Sequence, residues 1–129
     1  MKRFSIVLGF TALVACFALI GRNEARADGA CGEKGQPPCP LQGWMETNMQ
    51  GPMDKKDLKA VAAALEKAAK FVPNPKWNEG PTGWAKLATD GMEAAKKGDF
   101  AATNASCKSC HKAWRNQYKK EFRTKPISG

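Results

Sequence analysis

The feature that most constrains this chain is a short motif near its C-terminus, Cys107-Lys108-Ser109-Cys110-His111, which contains the only histidine of the sequence. Two thiols three residues apart, followed directly by an imidazole, suit the covalent attachment of a c-type haem. Each sulfur adds to one vinyl group of the porphyrin, and the histidine becomes the proximal ligand of the iron. The motif therefore predicts one covalent haem c per chain, and the rest of the chain has to fold around that flat, apolar group.

Zinc binding and a redox dithiol are two other interpretations of this motif. Zinc would need four ligands, which Cys31 and Cys39 could complete, but a proline-rich gap of this length is unlike the usual spacing of zinc ligands. A thioredoxin-like dithiol would follow a strand and begin a helix, whereas this motif lies in the middle of a helical segment. Covalent haem is favoured over both.

The N-terminal segment has the composition of an export signal. Lys2 and Arg3 precede a long apolar run, and Ala25-Arg26-Ala27 resembles a cleavage site. The sequence predicts a signal peptide over residues 1–27, a periplasmic location and no stable membrane span after processing, although the apolar run is long enough for a marginal span. In the alternative interpretation, Leu13-Val14-Ala15-Cys16 is a lipoprotein signal and Cys16 anchors the protein to lipid.

Charge and cysteine usage follow from export. Removing the leader takes away a net three positive charges from a chain of charge +9 and leaves about +6. An exported basic protein rarely meets nucleic acid, so an acidic redox partner or an anionic membrane surface is the expected contact. In an oxidising compartment Cys31 and Cys39 are predicted to form a disulfide that ties down a leader of residues 28–40.

From Leu41 onward apolar residues recur at helical spacing, with no strand alternation. We expect a first helix over residues 41–51, broken at Gly51-Pro52, then a second capped by Asp54, a third after Gly80 and a fourth capped by Asp99. The apolar stripe of the second helix is Leu58, Val61, Ala62, Leu65, Ala69 and Val72, and that of the third is Trp84, Leu87, Ala88, Gly91 and Ala95. Residues 41–125 are therefore predicted to be an all-α, antiparallel four-helix bundle with the haem on its last helix.

On an ideal fourth helix, the haem motif and several aromatic residues share one face, directed to the bundle interior. This face comprises Phe100, Asn104, Cys107, Cys110, His111, Trp114, Tyr118 and Phe122. The small residues of the second and third helices either pack the helices closely or leave a slot for the macrocycle.

The second axial ligand of the iron has to come from another side chain, because there is no second histidine. Met45 and Met49 lie four residues apart on the first helix, Met53 lies just beyond them, and Met92 lies on the third helix. Methionines at helical spacing are more often core packing than ligands. Met45, central in the short first helix, is the first choice, and Met49 is the alternative.

The chain resembles the cytochrome c-prime family and its low-spin relatives of the cytochrome c-556 type, in which the haem lies on the last helix of a four-helix bundle. The resemblance rests on Gly98-Asp99, the Cys107–His111 motif, Arg115 four residues later, and Trp44-Met45-Glu46-Thr47. It implies that His111 is the proximal ligand, that Arg115 lies beside the haem and that Met45 is the distal ligand of a low-spin member. Residues 31–40 have no counterpart in that family.

The expected function is electron transfer by a periplasmic monohaem cytochrome with His111 and Met45 as axial ligands, and Trp114 and Arg115 beside the haem. No general acid, base or nucleophile constellation is apparent, so no enzymatic activity is predicted. The alternative is a five-coordinate haem protein that binds nitric oxide or carbon monoxide, and a third possibility is an accessory haem subunit of a membrane-bound chain. Exposed lysines near the motif suit an acidic redox partner: Lys108, Lys112, Lys119 and Lys120. The chain is also compatible with a homodimer.

Overall fold

The structure, a computed structural model, describes residues 31–128. The proposed signal peptide, Cys16 and the cleavage site after Ala27 lie outside these residues. Within the described range every regular element is helical, as the sequence predicts, and there are four helices. Helix α1 spans residues 40–54 in three consecutive pieces, and α2, α3 and α4 follow as Leu58–Ala68, Trp84–Lys96 and Phe100–Glu121, with a 3₁₀ turn at Pro75–Asn78 before α3.

Helix α1 does not break at Gly51-Pro52, and that expectation is wrong. An α-helical piece, Pro40–Met45, is followed by a π-helical turn, Glu46–Gln50, and the helix then continues as Gly51–Asp54. A proline inside a regular α-helix collides with the carbonyl four residues earlier. Here the turn before Pro52 is wide, and the backbone stays helical through the proline.

Aspartates cap two of the helices. The carboxylate of Asp99 accepts a hydrogen bond from the backbone N–H of Ala102 at 2.9 Å, which confirms the predicted start of α4. The cap of α2 is Asp57, which accepts from the N–H of Ala60 at 3.0 Å. The predicted cap Asp54 is instead the last residue of α1, because that helix runs on past the proline.

Consecutive helices pack against one another: α1 on α2, α2 on α3, and α3 on α4. All five residues of the predicted α3 stripe are buried: Trp84, Leu87, Ala88, Gly91 and Ala95. The α2 stripe is right for Val61, Ala62 and Leu65, but it misses the buried Ala64 and Ala68 and runs past the end of the helix at Ala68.

Gly91 shows why small residues lie between α3 and α4. A Cβ atom added there would come within 3.1 Å of the Ser106 hydroxyl and 3.2 Å of a Leu65 methyl group. The Ser106 hydroxyl also donates a hydrogen bond to the carbonyl of Leu87. At this position the small residue allows three helices to approach closely and leaves no slot.

The segment before α1 is closed by a disulfide between Cys31 and Cys39, with an S–S distance of 2.08 Å, as the sequence predicts. Cys39 is buried and directly precedes the first helical residue. The loop also reaches the other end of the chain, because Glu33 pairs with Arg123 just beyond α4. The disulfide loop therefore joins the beginning of α1 to the end of α4.

Candidate functional site

A cavity of about 660 Å³ lies between α1 and α4, with α2 and α3 forming its floor. This volume falls within the range of roughly 300–1,000 Å³ that is usual for small-molecule and cofactor sites. The floor is apolar and consists of Leu65, Ala68, Trp84, Leu87 and Ala88. Of the small residues considered as a haem slot, only Ala88 lies on the cavity wall.

The α4 wall of the cavity carries the sequence motif. Cys107, Cys110 and His111 all line the cavity, because residues three and four apart share one helix face. Both cysteines are free thiols and half-buried, while His111 is more exposed. The structure thus places two thiols and one imidazole side by side on the wall of a cavity of cofactor size.

Burial changes the protonation of these three groups. It raises the pKa of Cys110 to about 11, with the nearby Cys107 as a smaller cause. Burial also raises the pKa of Cys107. The pKa of His111 is lowered, first by burial and then by the positive charge of Arg115. The imidazole is therefore neutral at pH 7, and the neutral imidazole is the form that binds a metal.

The α1 wall, opposite the motif, carries three methionines. Met45, Met49 and Met53 line the cavity, whereas Met92 packs on the hydrophobic core next to it and is not among the lining residues. Met49 is buried and belongs to that core, while Met45 is half-buried and contacts both hydrophobic clusters of the described chain. Met45, the first choice for the distal ligand, and Met49, the alternative, therefore face the same space as His111.

Three cationic side chains line the cavity. Arg115, one turn after His111, lines it together with Lys108 and Lys119, and Glu46 lies on the α1 wall. None of these four groups takes part in the ion pairs found within residues 31–128. Two or more positive charges are thus available to an anionic group of a bound ligand.

Trp114, expected beside the haem, is not among the cavity-lining residues. Its ring stacks on that of Trp77 with centroids 4.8 Å apart, and its indole N–H donates to the carbonyl oxygen of Thr82 at 2.9 Å. Trp77 lies in the 3₁₀ turn before α3 and also contacts Trp84 and Phe122. Trp114 therefore belongs to an aromatic cluster at the end of the cavity, and Tyr118 and Trp84 form the boundary between the two.

Several site residues are absent from the sequence-based prediction. Gln42, Glu46 and Gln50 line the α1 wall, and Gly32 of the disulfide loop lines the cavity as well. A signal for the first three is their repetition at every fourth residue, in step with Met45 and Met49. No sequence signal identifies Gly32, because its position depends on a loop that folds back onto α1.

The zinc interpretation is wrong, because the disulfide joins two of the four thiols that it requires. Within residues 31–128 no three side chains among His, Cys, Asp and Glu come together as a metal site.

No helix within the described residues 31–128 is long and apolar enough to cross a membrane. Comparisons of the chain with models of known protein families, with curated proteins and with solved structures give no match.

Proposed function

We propose that this protein is an exported monohaem c-type cytochrome that carries electrons, built as an antiparallel four-helix bundle with the haem held on α4. The observation that carries the proposal is one cavity of about 660 Å³ with Cys107, Cys110 and His111 on one wall and methionine thioethers on the opposite wall. The thiols of Cys107 and Cys110 attach the haem, and His111 is the proximal ligand.

The residues present suit this cofactor in four respects. The cavity has the size of a cofactor site, its floor is apolar, its two thiols are free and its imidazole is neutral at pH 7. A haem also carries two carboxylates, and the cations that line the cavity supply their counter-charges. Arg115 is the first of these, since it follows His111 by one turn, and Lys119 is the next along the same face.

The haem iron supplies one-electron redox chemistry when it is bound, and the protein side chains set its environment. Met45 is the proposed distal ligand and Met49 the alternative. The buried floor, with Leu65, Leu87 and Trp84, excludes water from the interior side of the cavity. Burial and a thioether ligand both favour the reduced state of the iron, which suits an electron carrier.

A gas-binding protein with five-coordinate haem is the second candidate, and the packing of the methionines favours it. Met49 is part of the hydrophobic core and Met45 packs against two clusters, so both side chains have a structural role without a ligand. If neither binds the iron, the distal side is an apolar pocket open to nitric oxide or carbon monoxide.

The proposed partner is an acidic redox protein that docks on α4. This helix carries Lys108, Lys112, Arg115 and Lys119, and no acidic residue occurs between Asp99 and Glu121. Positive charge beside the cavity would steer an acidic surface toward the haem edge. We further propose a periplasmic location for the exported protein, with anchoring through a lipidated Cys16 as the alternative. Homodimer formation is a separate proposal.

Covalent attachment is tested on the purified protein. We expect haem to remain with the chain through acid-acetone extraction and denaturing electrophoresis, because two thioether bonds hold it. The variant Cys107→Ala should retain one thioether bond, and the variant lacking both thiols should lose all haem on extraction. Complete extraction of haem from the wild-type chain, or its absence from the purified protein, would refute the proposal.

A further inference from the structure

Helix α1 presents two regular rows of side chains to the cavity. One row is Leu41, Met45, Met49 and Met53, and the other is Gln42, Glu46 and Gln50. Every fourth residue is therefore on the cavity wall along the whole helix. In a regular α-helix of 3.6 residues per turn each such step overshoots by about 40°, so Leu41 and Met53 would be about 120° apart around the axis.

The π turn is the feature that keeps the rows straight. It covers Glu46–Gln50, between Met45 and Met53, and the N–H of Gly51 donates to the carbonyl of Glu46, five residues earlier. A π turn contains more residues than an α turn, so each residue advances by a smaller angle and the overshoot is offset. The side-chain amide of Asn48 donates to the Trp44 carbonyl at 2.9 Å and ties the wide turn to the preceding one.

Pro52 gives a physical cause for the wide turn. It has no N–H to donate, and in a regular α-helix its ring would collide with the carbonyl of Asn48. Directly after the proline the helix ends in a well-bonded turn, in which the N–H of Asp57 donates to the Pro52 carbonyl at 2.9 Å. The proline is thus held at its C-terminal side, and the strain is relieved on its N-terminal side, where the π turn lies.

We propose that Pro52 is a positioning residue: it imposes the π turn, and the turn keeps the row from Met45 to Met53 on the wall that faces His111. The inference rests on the proposed function in one respect. The consequence of the alignment is that methionine thioethers are presented toward the distal position of the haem iron. In a regular α-helix Met45 and Met49 would still share one face, about 40° apart, but Met45 and Met53 would be about 80° apart around the axis, and the row would turn away from the cavity.

The test compares Pro52→Ala with Gly51→Ala, its neighbour. A Cβ atom at Gly51 meets nothing within 4 Å, so this control raises helix propensity and leaves the proline in place. A crystal structure of Pro52→Ala should show the Gly51 N–H bonded to Thr47 instead of Glu46. Peroxide oxidation, followed by peptide mass spectrometry, should change the ratio of Met45 to Met53 oxidation several-fold in Pro52→Ala and not in Gly51→Ala.

These two measurements use the purified protein whatever its haem content, so they separate this inference from the proposed function. In haem-loaded protein we additionally expect loss of low-spin ferric character in Pro52→Ala and its retention in Gly51→Ala. Retention of the Gly51–Glu46 hydrogen bond in Pro52→Ala, or an unchanged oxidation ratio, would overturn the inference.

A second pair of variants covers the case in which the first fails to fold. Deleting the exposed Thr47 removes one residue from the π turn and should lower Tm, because Pro52 then meets a regular turn, whereas Thr47→Ala should not. Adding Pro52→Ala to the deletion should restore most of the lost Tm. If the combined variant is no more stable than the deletion alone, the proline does not impose the turn.

Discussion

Arg123 and Glu33 form an ion pair, with Nη1 3.3 Å from Oε1, that links the residues just after α4 to the disulfide loop before α1. The carbonyl of Arg123 also lies 4.0 Å from the sulfur of Cys31. These contacts connect the two helices that face each other across the cavity. The disulfide loop therefore connects α1 to α4 at one end of the candidate site.

The disulfide should stabilise the fold more than the ion pair does. Replacing both cysteines, Cys31→Ser with Cys39→Ser, should lower the free energy of unfolding by about 2–3 kcal/mol, because a short closed loop is released. Arg123→Ala should cost less than about 1 kcal/mol, since the two side chains are 38% and 63% exposed. Urea unfolding under oxidising and reducing conditions measures both effects. If the free energy of unfolding of the wild type does not change on reduction, the disulfide does not stabilise the fold.

Replacing Gly32, which lies against the disulfide, should destabilise the fold more than replacing Gly35, which serves as a matched control. Both have positive φ angles, of 81° and 84°, but a Cβ atom at Gly32 would lie 2.9 Å from the Cys39 sulfur, whereas at Gly35 it meets nothing within 4 Å. Gly35→Ala should cost about 1–2 kcal/mol for the left-handed backbone alone. Gly32→Ala should cost clearly more in the same urea titration, and equal losses would mean that the contact with the disulfide is easily relaxed.

In the haem-free full-length chain the motif thiols should react slowly and only at high pH. The thiolate is the reactive form, and the raised pKa of Cys110, about 11, lowers the thiolate fraction at any pH below that value. Iodoacetamide labelling at pH 8 should therefore be slower than in urea, and the rate should rise toward pH 11. Cys107→Ala should move this rise to lower pH, since the Cys107 charge is the second cause of the shift. Labelling at the same rate with and without urea would contradict the burial of this thiol.

Arg115 should raise the midpoint potential of the bound haem. It lines the cavity one turn from His111, and a positive charge favours the reduced state of the iron. Arg115→Ala should lower the potential by tens of millivolts and Arg115→Lys by less, as measured by spectroelectrochemistry. Lys112→Ala removes the same charge from the same helix at an exposed position outside the cavity, and it should have a smaller effect. Equal potentials in all four proteins would leave Arg115 as a surface charge.

The parts of the structure that sequence predicts well are those decided within one helix. The buried stripe of α3 and the Asp99 cap follow from spacing and local hydrogen bonding, and the structure contains both. The π turn could not be found in this way, because a search at the α-helical period assumes that the turn before Pro52 is regular. That assumption also suggested a break that the structure does not contain.

The place of Trp114 shows a second limit. An ideal helix identifies which side of α4 is interior, but the interior contains both the cavity and the aromatic cluster. What separates them is Trp77, whose indole stacks on Trp114 from a 3₁₀ turn with no helical periodicity. The division of one helix face between two environments is therefore determined by a connecting segment, which pattern analysis treats as a loop.

The distal ligand decides between the two candidate functions. We expect low-spin ferric spectra with a weak near-infrared charge-transfer band in the wild type, lost in Met45→Ala and retained in Met49→Ala. Both methionines line the cavity, but Met45 is half-buried whereas Met49 is buried in the core, so replacing Met49 should reduce the stability by about 2–5 kcal/mol instead. Met92→Ala, off the cavity wall, is the control for general loosening of the bundle.

If Met49→Ala alone makes the iron high-spin, the distal ligand lies one turn further along α1 and the electron-carrier function is retained. A high-spin wild type that binds carbon monoxide readily would replace the electron carrier with the gas-binding protein.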